Sequence, residues 1–348
     1  MIRGRAAVLV LAAALIAAPP LQAAAAKKKK PAAKPAAKKP APRVVKGTTQ
    51  LKGDQAQFGL EYTLGKGSPM NITLKSAEYT VVPLHIGENL YIPKENTKLL
   101  VLHYTLHNPQ HQEAQVRFDT FGFTVVDPEG TNQEFISAVG SEASQKDLDM
   151  NLKPAQKVEA YTAVQVPAKA EMPKLIIKAS DELVLRYDLK GKVKPLPAPF
   201  ADPEDKSGFT ALGKVPATLG TYYSLGDFDV KVDGLSFRDT KIMENELEEG
   251  QRFVVIALTA RNRHPAKRQL RFDTLNWSVR DQDGAEVEGY NNLLAGSRDA
   301  DLDTELEPGQ EIKARRYYRV PKDLGLKTLS VKLGDEGRAF VYDVSGLK

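Results

Sequence analysis

Histidine is the residue type of this chain whose placement could support chemistry. The chain has five histidines, and neutral imidazole is a good ligand for copper and zinc. Four of them fall between residues 85 and 111, namely His85, His103, His107 and His111. This clustering predicts a copper or zinc site that uses some of the four.

The spacing of these histidines limits which of them could share one ion. His103 and His107 are four residues apart in a strand-like segment, so their side chains would lie about 13 Å apart. Two ligands that are each about 2 Å from one ion cannot be so far apart. A site could combine His107 with His111 across the turn at residues 108–109, joined by His85. The four are therefore not all expected on one ion.

A run of acidic residues in the second half of the chain offers a different kind of site. Clusters of carboxylate oxygens bind calcium, although the glycine and distal glutamate of an EF-hand loop are absent here. A solvated acidic edge that discourages strand pairing between molecules is the alternative interpretation. The four carboxylates alternate along the sequence and belong to Asp299, Asp301, Asp303 and Glu305.

Other catalytic chemistry has little support in the residues. The chain has no cysteine, which excludes disulfides and thiolate sites. No Gly-x-Ser-x-Gly elbow and no glycine-rich phosphate loop is present. We therefore assign no catalytic residue from sequence.

An internal repeat organises the elements that must position these residues. Arg117-Phe118-Asp119-Thr120 recurs 154 residues later at positions 271–274, and matches at the same offset continue to Val166-Pro167 and Val320-Pro321. A fixed offset held over this length indicates a duplicated unit. The shared Arg and Asp would lie on one face of a strand, where they predict an ion pair or a turn that serves the architecture.

Alternation of apolar and polar residues predicts strands in both copies. In the first copy, the residues at 100, 102, 104 and 106 would face the core. The outer face with Leu99, Val101, His103 and His107 would then be a contact surface. Short strands separated by turns favour two tandem immunoglobulin-like antiparallel β-sandwiches, an all-β fold.

The predicted organisation has five parts. A positive start followed by an apolar run and small residues indicates a secretory signal peptide. The Lys/Pro/Ala-rich segment after it is expected to be disordered, and a proline-rich stretch between the copies indicates an exposed linker. The boundaries are 1–26 for the signal peptide, 27–56 for the tail, 57–191 for the first sandwich, 192–216 for the linker and 217–348 for the second.

Charge divides the tail from the rest. Residues 1–46 contain 11 Lys and Arg and no acid, which leaves 38 basic against 44 acidic residues and a formal charge of −6 elsewhere. The tail is thus suited to anionic envelope polymers or envelope proteins, or it is only a solvating spacer. Nucleic acid binding is not expected, and no later segment is long enough for a transmembrane helix.

The order of motifs resembles a known family. A Leu/Val-rich strand ends in Asn, a Phe-rich strand closes with Asp-x-x-Gly at 127–130, and a Leu-x-Pro-x-Gln turn at 152–156 leads to a strand ending in Val-Pro. This is similar to the immunoglobulin-like domain of unknown function of secreted bacterial proteins, sometimes mislabelled as a telomere-repeat-binding factor. The resemblance covers residues 60–190 and 220–346 and implies the fold and export, with no catalytic residue.

These observations lead to one main hypothesis and two alternatives. The main one is an exported, non-enzymatic envelope protein of the periplasm, outer-membrane periphery or cell surface, which binds or assembles surface-layer, outer-membrane or cell-wall components. Copper superoxide dismutases are exported sandwiches of related architecture, so the histidines suggest a copper-only dismutase. The His-x-His spacing of the dismutase pattern is absent from this chain. The acidic run suggests a calcium-stiffened adhesin.

Overall fold

The computed structural model describes residues 53–179, 183–290, 292–335 and 337–347. Their regular structure is β-strand throughout, which confirms the predicted all-β fold. Among these residues no helix has the length and apolar character needed to cross a membrane. The predicted signal peptide and almost all of the predicted tail lie outside the described residues.

Most connections between consecutive strands are short. Most of the strands are also short, and the long strands form the centre of each sandwich. They are β1 (Gly53–Ala56), β2 (Glu61–Leu64), β3 (Met70–Thr80), β4 (Leu84–Ile86), β5 (Asn89–Tyr91), β6 (Thr97–His107), β7 (Ala114–Val116), β8 (Gly122–Val126), β9 (Asn132–Glu134), β10 (Gly140–Ser141), β11 (Met150–Leu152), β12 (Lys157–Pro167), β13 (Lys174–Lys178), β14 (Val184–Asp188), β15 (Lys214–Ala217), β16 (Tyr222–Leu225), β17 (Phe228–Arg238), β18 (Gln251–Asn262), β19 (Arg268–Leu270), β20 (Asn276–Asp281), β21 (Glu286–Val287), β22 (Leu294–Ala295), β23 (Thr304–Leu306), β24 (Glu311–Pro321), β25 (Leu326–Lys332) and β26 (Ala339–Asp343).

The first sandwich consists of two five-stranded sheets that enclose one core. One sheet has the order β1-β14-β13-β8-β9 and the other the order β10-β12-β6-β3-β2. The core between them includes Leu102 and Tyr104 from one sheet and Phe123 and Ile177 from the other. Burial of such side chains on the inner faces is the main stabilising term of a sandwich.

The second sandwich repeats this plan strand for strand. Its sheets have the orders β15-β26-β25-β20-β21 and β16-β17-β18-β24-β22, and a separate core lies between them. The turns inferred from the repeat are present, since Gly130 and Gly284 both have φ of 85° and each turn connects two paired strands. The long strands β12 and β24 both end at Val-Pro, as predicted.

The outer face of β6 is not the open contact surface that its alternation predicts. Leu99 and Val101 are buried in a small second cluster beneath the β4–β5 hairpin, which adds a layer over the sheet. Of the four residues named for that surface, only His103 and His107 remain partly exposed. The prediction was wrong because alternation in one strand does not reveal a hairpin that folds back over it.

The repeated Arg-Phe-Asp-Thr segment forms the same turn in both copies. Arg117 donates from Nε and Nη2 to both carboxylate oxygens of Asp119, at 3.1 and 2.6 Å. Arg271 and Asp273 do the same at 3.0 and 2.6 Å. The predicted ion pair is confirmed, but the segment is a turn after β7 or β19 rather than part of a strand.

The predicted linker is not an exposed spacer. Its residues Val193, Leu196 and Ala211 are buried in the first core. Lys98, which is itself fully buried, donates from Nζ to the carbonyl of Ala170 at 2.7 Å and to the carbonyl of Phe209. The prediction failed because the prolines set the backbone course while the apolar residues between them supply packing surface.

A buried arginine joins the two sandwiches. Arg338 donates from Nη2 to the carbonyls of Glu95 and Thr97 at 2.8 and 2.9 Å, and from Nε to the carbonyl of Leu212. Lys94 and Gly337 form a β-bridge beside it. The described residues belong to one compact unit, so the sandwiches are held together through backbone carbonyls of the first sandwich and linker.

Candidate functional site at the junction of the sandwiches

The β4–β5 hairpin places His85 against the second sandwich. The second copy has a shorter counterpart, a turn closed by a β-bridge between Ile242 and Asn245, and residues 239–246 of that copy contain no histidine. His85 is only 8% exposed, and its ring packs edge-on against His264, with centroids 4.8 Å apart. Neither ring nitrogen of His85 has a hydrogen-bond partner.

Asp227 reaches the site from a tight turn between β16 and β17. Gly226 precedes it with φ of 69°, which is the positive value that two-residue hairpin turns require at their first position. The turn directs the Asp227 carboxylate toward His85, with 3.7 Å between Oδ1 and Nε2.

His264 is positioned by a buried asparagine at the end of β18. Asn262 Oδ1 accepts the His264 N–H at 2.9 Å, and Asn262 Nδ2 donates to the carbonyls of Ala266 and Leu306 at 2.9 and 2.8 Å. His264 Nδ1 accepts the Ala266 N–H at 3.0 Å. Both ring nitrogens of His264 therefore face an N–H donor, Nδ1 that of Ala266 and Nε2 that of Arg268.

Two arginines border the site. Arg268 donates from Nε to Asp227 Oδ2 at 2.9 Å, and its Nη2 is 2.6 Å from His264 Nε2. Arg263 donates from Nη1 to the carbonyls of Pro83 and Gly226 at 3.2 and 3.3 Å. The junction thus contains two cations, one carboxylate and two imidazoles in close contact.

The surroundings keep both imidazoles neutral. Burial lowers the pKa of His85 to about 4, with Arg263 adding to the effect and Asp227 opposing it. The Gly226 backbone also raises the pKa of His85, by the smallest amount. Neither ring nitrogen forms a hydrogen bond with it. Burial, followed by Arg268, also lowers the pKa of His264. Neutral imidazole has an available lone pair and is the form that binds metals.

A cavity of about 330 Å³ lies beside this cluster. His103 stands on its wall between two carboxylates, with Nδ1 2.5 Å from Glu142 Oε1 and Nε2 3.8 Å from Glu78 Oε1. His85 and Arg263 line the side nearest the second sandwich. The cavity therefore combines acidic groups from the first sandwich with a cation from the second.

The structure does not bring the predicted histidine ligands together. His107 Nδ1 lies 3.1 Å from Glu61 Oε1 and 3.1 Å from Asn71 Nδ2, whereas His111 is exposed in the following loop. In the described part of the chain, His85, Asp227 and His264 are the one group of three ligating side chains. The histidines of the dismutase hypothesis form no ligand group among the residues that the structure describes.

The predicted acidic run is divided among different contacts. Asp299 accepts hydrogen bonds from Arg238 and Arg315, and the Arg238 bond is the main cause of its lowered pKa. Asp303 accepts one from Gln269. Glu305 lies in β23, and because this strand begins at residue 304, the other three carboxylates precede it. Together with Asp301, these carboxylates form no ligand group among the residues that the structure describes.

Sequence inspection missed Asp227 and His264. The repeat shows which residues are present in only one copy. It aligns equivalent positions of the two copies and gives no information on which residues of one copy contact the other. The available signals were local: a Gly-Asp turn between alternating segments, and a histidine two residues after the Asn shared by both copies. Neither signal indicates that the two meet His85.

One family model matches a part of the chain. Residues 217–336 match the family model described as a domain of unknown function, DUF4352, which agrees with the resemblance for the second sandwich. No curated protein sequence matches the chain.

Solved structures similar to parts of the chain include an uncharacterized β-sandwich protein from Clostridium difficile 630. It is 16% identical, with a TM-score of 0.29, and the match covers 38% of this chain and 94% of that one. The secreted protein MPT63 from Mycobacterium tuberculosis is 8% identical, with a TM-score of 0.28 and coverage of 40% and 99%.

Proposed function

We propose that the chain is an exported, non-enzymatic binding protein of the cell envelope, in which the two sandwiches act as one rigid body. It would attach to or assemble surface-layer, outer-membrane or cell-wall components. The observation that supports this best is the junction, where buried Arg338 holds backbone carbonyls of the first sandwich and linker. A fixed arrangement of two sandwiches suits a protein that must hold partners at a set distance.

The chemistry of the partner follows from the charge distribution. The tail concentrates positive charge, with 11 Lys and Arg and no acid in residues 1–46, while the remainder has a formal charge of −6. Anionic envelope polymers would attract the tail and repel the sandwiches. We therefore assign attachment to the tail and presentation to the sandwiches.

Cosedimentation with isolated envelope material tests this proposal. Residues 27–348 should pellet with peptidoglycan sacculi or lipopolysaccharide vesicles, and the bound fraction should fall as salt rises because exposed charges are screened. Deletion of residues 27–46 should remove most of the binding. A variant with the lysines of that segment changed to Gln is the matched control for length and proline content, and it should bind as poorly as the deletion.

Two outcomes would contradict the proposal in different ways. If the full chain does not pellet with either material, envelope attachment is wrong. If the deletion and the Lys→Gln variant pellet as well as the full chain, the tail is a spacer and attachment belongs to the sandwiches.

A further inference from the structure

We propose that His85, Asp227 and His264 form a binding site for one zinc ion at the junction of the two sandwiches. This inference does not depend on the proposed envelope function. It rests on the geometry of the three side chains, on the unpartnered nitrogens of His85 and on the position of Arg268.

The three side chains are close to the spacing that zinc requires. One ligand atom from each lies within 4.8 Å of the other two, and His85 Nε2 is 3.7 Å from Asp227 Oδ1. Tetrahedral ligands about 2.1 Å from zinc are separated by about 3.4 Å. Small side-chain movements would therefore close the site without a change in the strands that bear it.

His85 is the residue that most clearly needs a partner. Buried polar atoms in folded proteins nearly always have one, but Nδ1 and Nε2 of His85 both lack one. The ring faces two potential ligands from the other sandwich. Zinc bound at Nε2 would satisfy this nitrogen and join the hairpin to the second sandwich.

Arg268 already holds two of the zinc-ligating groups. Its guanidinium contacts Asp227 Oδ2 and His264 Nε2, so zinc and Arg268 compete for the same groups. The Arg268 side chain is 28% exposed and can turn toward solvent. Arg263 is held by two carbonyls and lies 3.7 Å from Asp229, which offsets part of its repulsion. Arg268 therefore lowers the zinc affinity of the site.

Zinc binding at His264 would also affect one backbone hydrogen bond. Binding through Nε2 leaves the ring proton on Nδ1, which then cannot accept the Ala266 N–H. Ala266 is exposed, so its N–H can donate to water instead. Binding is thus coupled to a small rearrangement of the turn after β18.

The donor set favours zinc over calcium or magnesium. Calcium and magnesium prefer oxygen ligands, whereas two imidazoles and one carboxylate match zinc sites that keep a fourth position for water. Copper(II) binds such donors more tightly still, and it serves as a second probe of the same three residues.

Calorimetric titration of zinc into the metal-free chain, residues 27–348 without a histidine tag, tests the proposal. We expect one zinc per chain, a higher midpoint of thermal unfolding with zinc present, and visible absorption bands from tetrahedral cobalt(II) at the same stoichiometry. His85→Gln and Asp227→Asn should each weaken binding at least tenfold. Arg268→Gln should tighten it at least threefold, because it removes the competing cation.

His107→Gln is the matched control, since His107 is a half-buried histidine of the same sandwich beside a glutamate. It should leave zinc affinity unchanged. The proposal is overturned if the chain binds no zinc, or if His85→Gln and His107→Gln have equal effects. If His85→Gln does not fold, Arg268→Gln decides, and an affinity that stays equal or falls contradicts the site.

Discussion

The two sandwiches have the same sheets, turns and Arg-Asp ion pairs, and they differ at the surfaces through which they contact each other. Both have the same strand order and the same Arg-Asp turn. The first supplies His85 from its β4–β5 hairpin, and the second supplies Asp227 and His264. Duplication thus produced a common scaffold, and the distinctive chemistry lies between the copies rather than within one.

One pair of equivalent positions shows how context alters a shared plan. Lys98 and Arg252 are 154 residues apart at the start of β6 and β18. Lys98 is enclosed by the linker and donates to two carbonyls, while Arg252 stacks on Phe237 with 3.3 Å from its Cζ to the ring centroid. The linker packs on the first sandwich and buries Lys98, whereas Arg252 is partly exposed.

Arg338→Ala should have the largest effect and should separate the two sandwiches. Removing a buried cation that donates to three carbonyls is expected to cost about 3–5 kcal/mol of unfolding free energy. Trp277, the single tryptophan, reports on the second sandwich by fluorescence, and circular dichroism reports on both. In urea the two signals should give different midpoints for the variant. Coincident transitions at the wild-type midpoint would show that Arg338 does not couple the sandwiches, and exposed Arg280→Ala is the control.

Lys98→Met should have a smaller effect that depends on pH. The carbonyls of Ala170 and Phe209 lose their donor, at a cost of about 1–3 kcal/mol near pH 7. Burial lowers the pKa of Lys98 to about 8 from 10.5. Between these values the unfolded chain binds more protons than the folded chain, so the wild type gains stability with rising pH.

The measurement for Lys98 is the difference in unfolding free energy between wild type and variant from pH 7 to 10.5. This difference should grow as pH rises. Arg252→Met is the matched control at the equivalent position, and its difference from wild type should stay constant over that range. A constant difference for Lys98→Met as well would contradict the assigned burial effect.

Arg117→Ala and Arg271→Ala should have the smallest effects and should match each other. Each ion pair is about half exposed, and such pairs contribute at most about 1 kcal/mol. The measurement is the midpoint of thermal unfolding of each single variant, and the two midpoints should shift by the same amount. Midpoint shifts that differ clearly between the two variants would show that the shared turn contributes differently to the stability of each sandwich.

Local patterns in the sequence were sufficient for the scaffold. Alternation defined β6 and β18, Val-Pro marked the ends of β12 and β24, and the repeat exposed the Arg-Asp turns. These features depend on neighbouring residues or on pairing within one copy.

Features that depend on distant packing could not be obtained in this way. The cover over Leu99 comes from a hairpin, and the burial of Ala211 comes from a linker that folds back on a completed core. The meeting of His85 with His264 requires two finished sandwiches in contact. No residue spacing in one copy encodes that contact.

The parallel closure of each sandwich also constrains how the chain can be made. β1 pairs with β14, and β15 pairs with β26, so each sandwich joins its first strand to its last. During synthesis from the N-terminus, residues 53–56 have no parallel partner until residues 184–188 emerge, and 214–217 must await 339–343. Unpaired strand edges promote association between chains. The interval between first and last strand is therefore the period in which a nascent chain most needs protection.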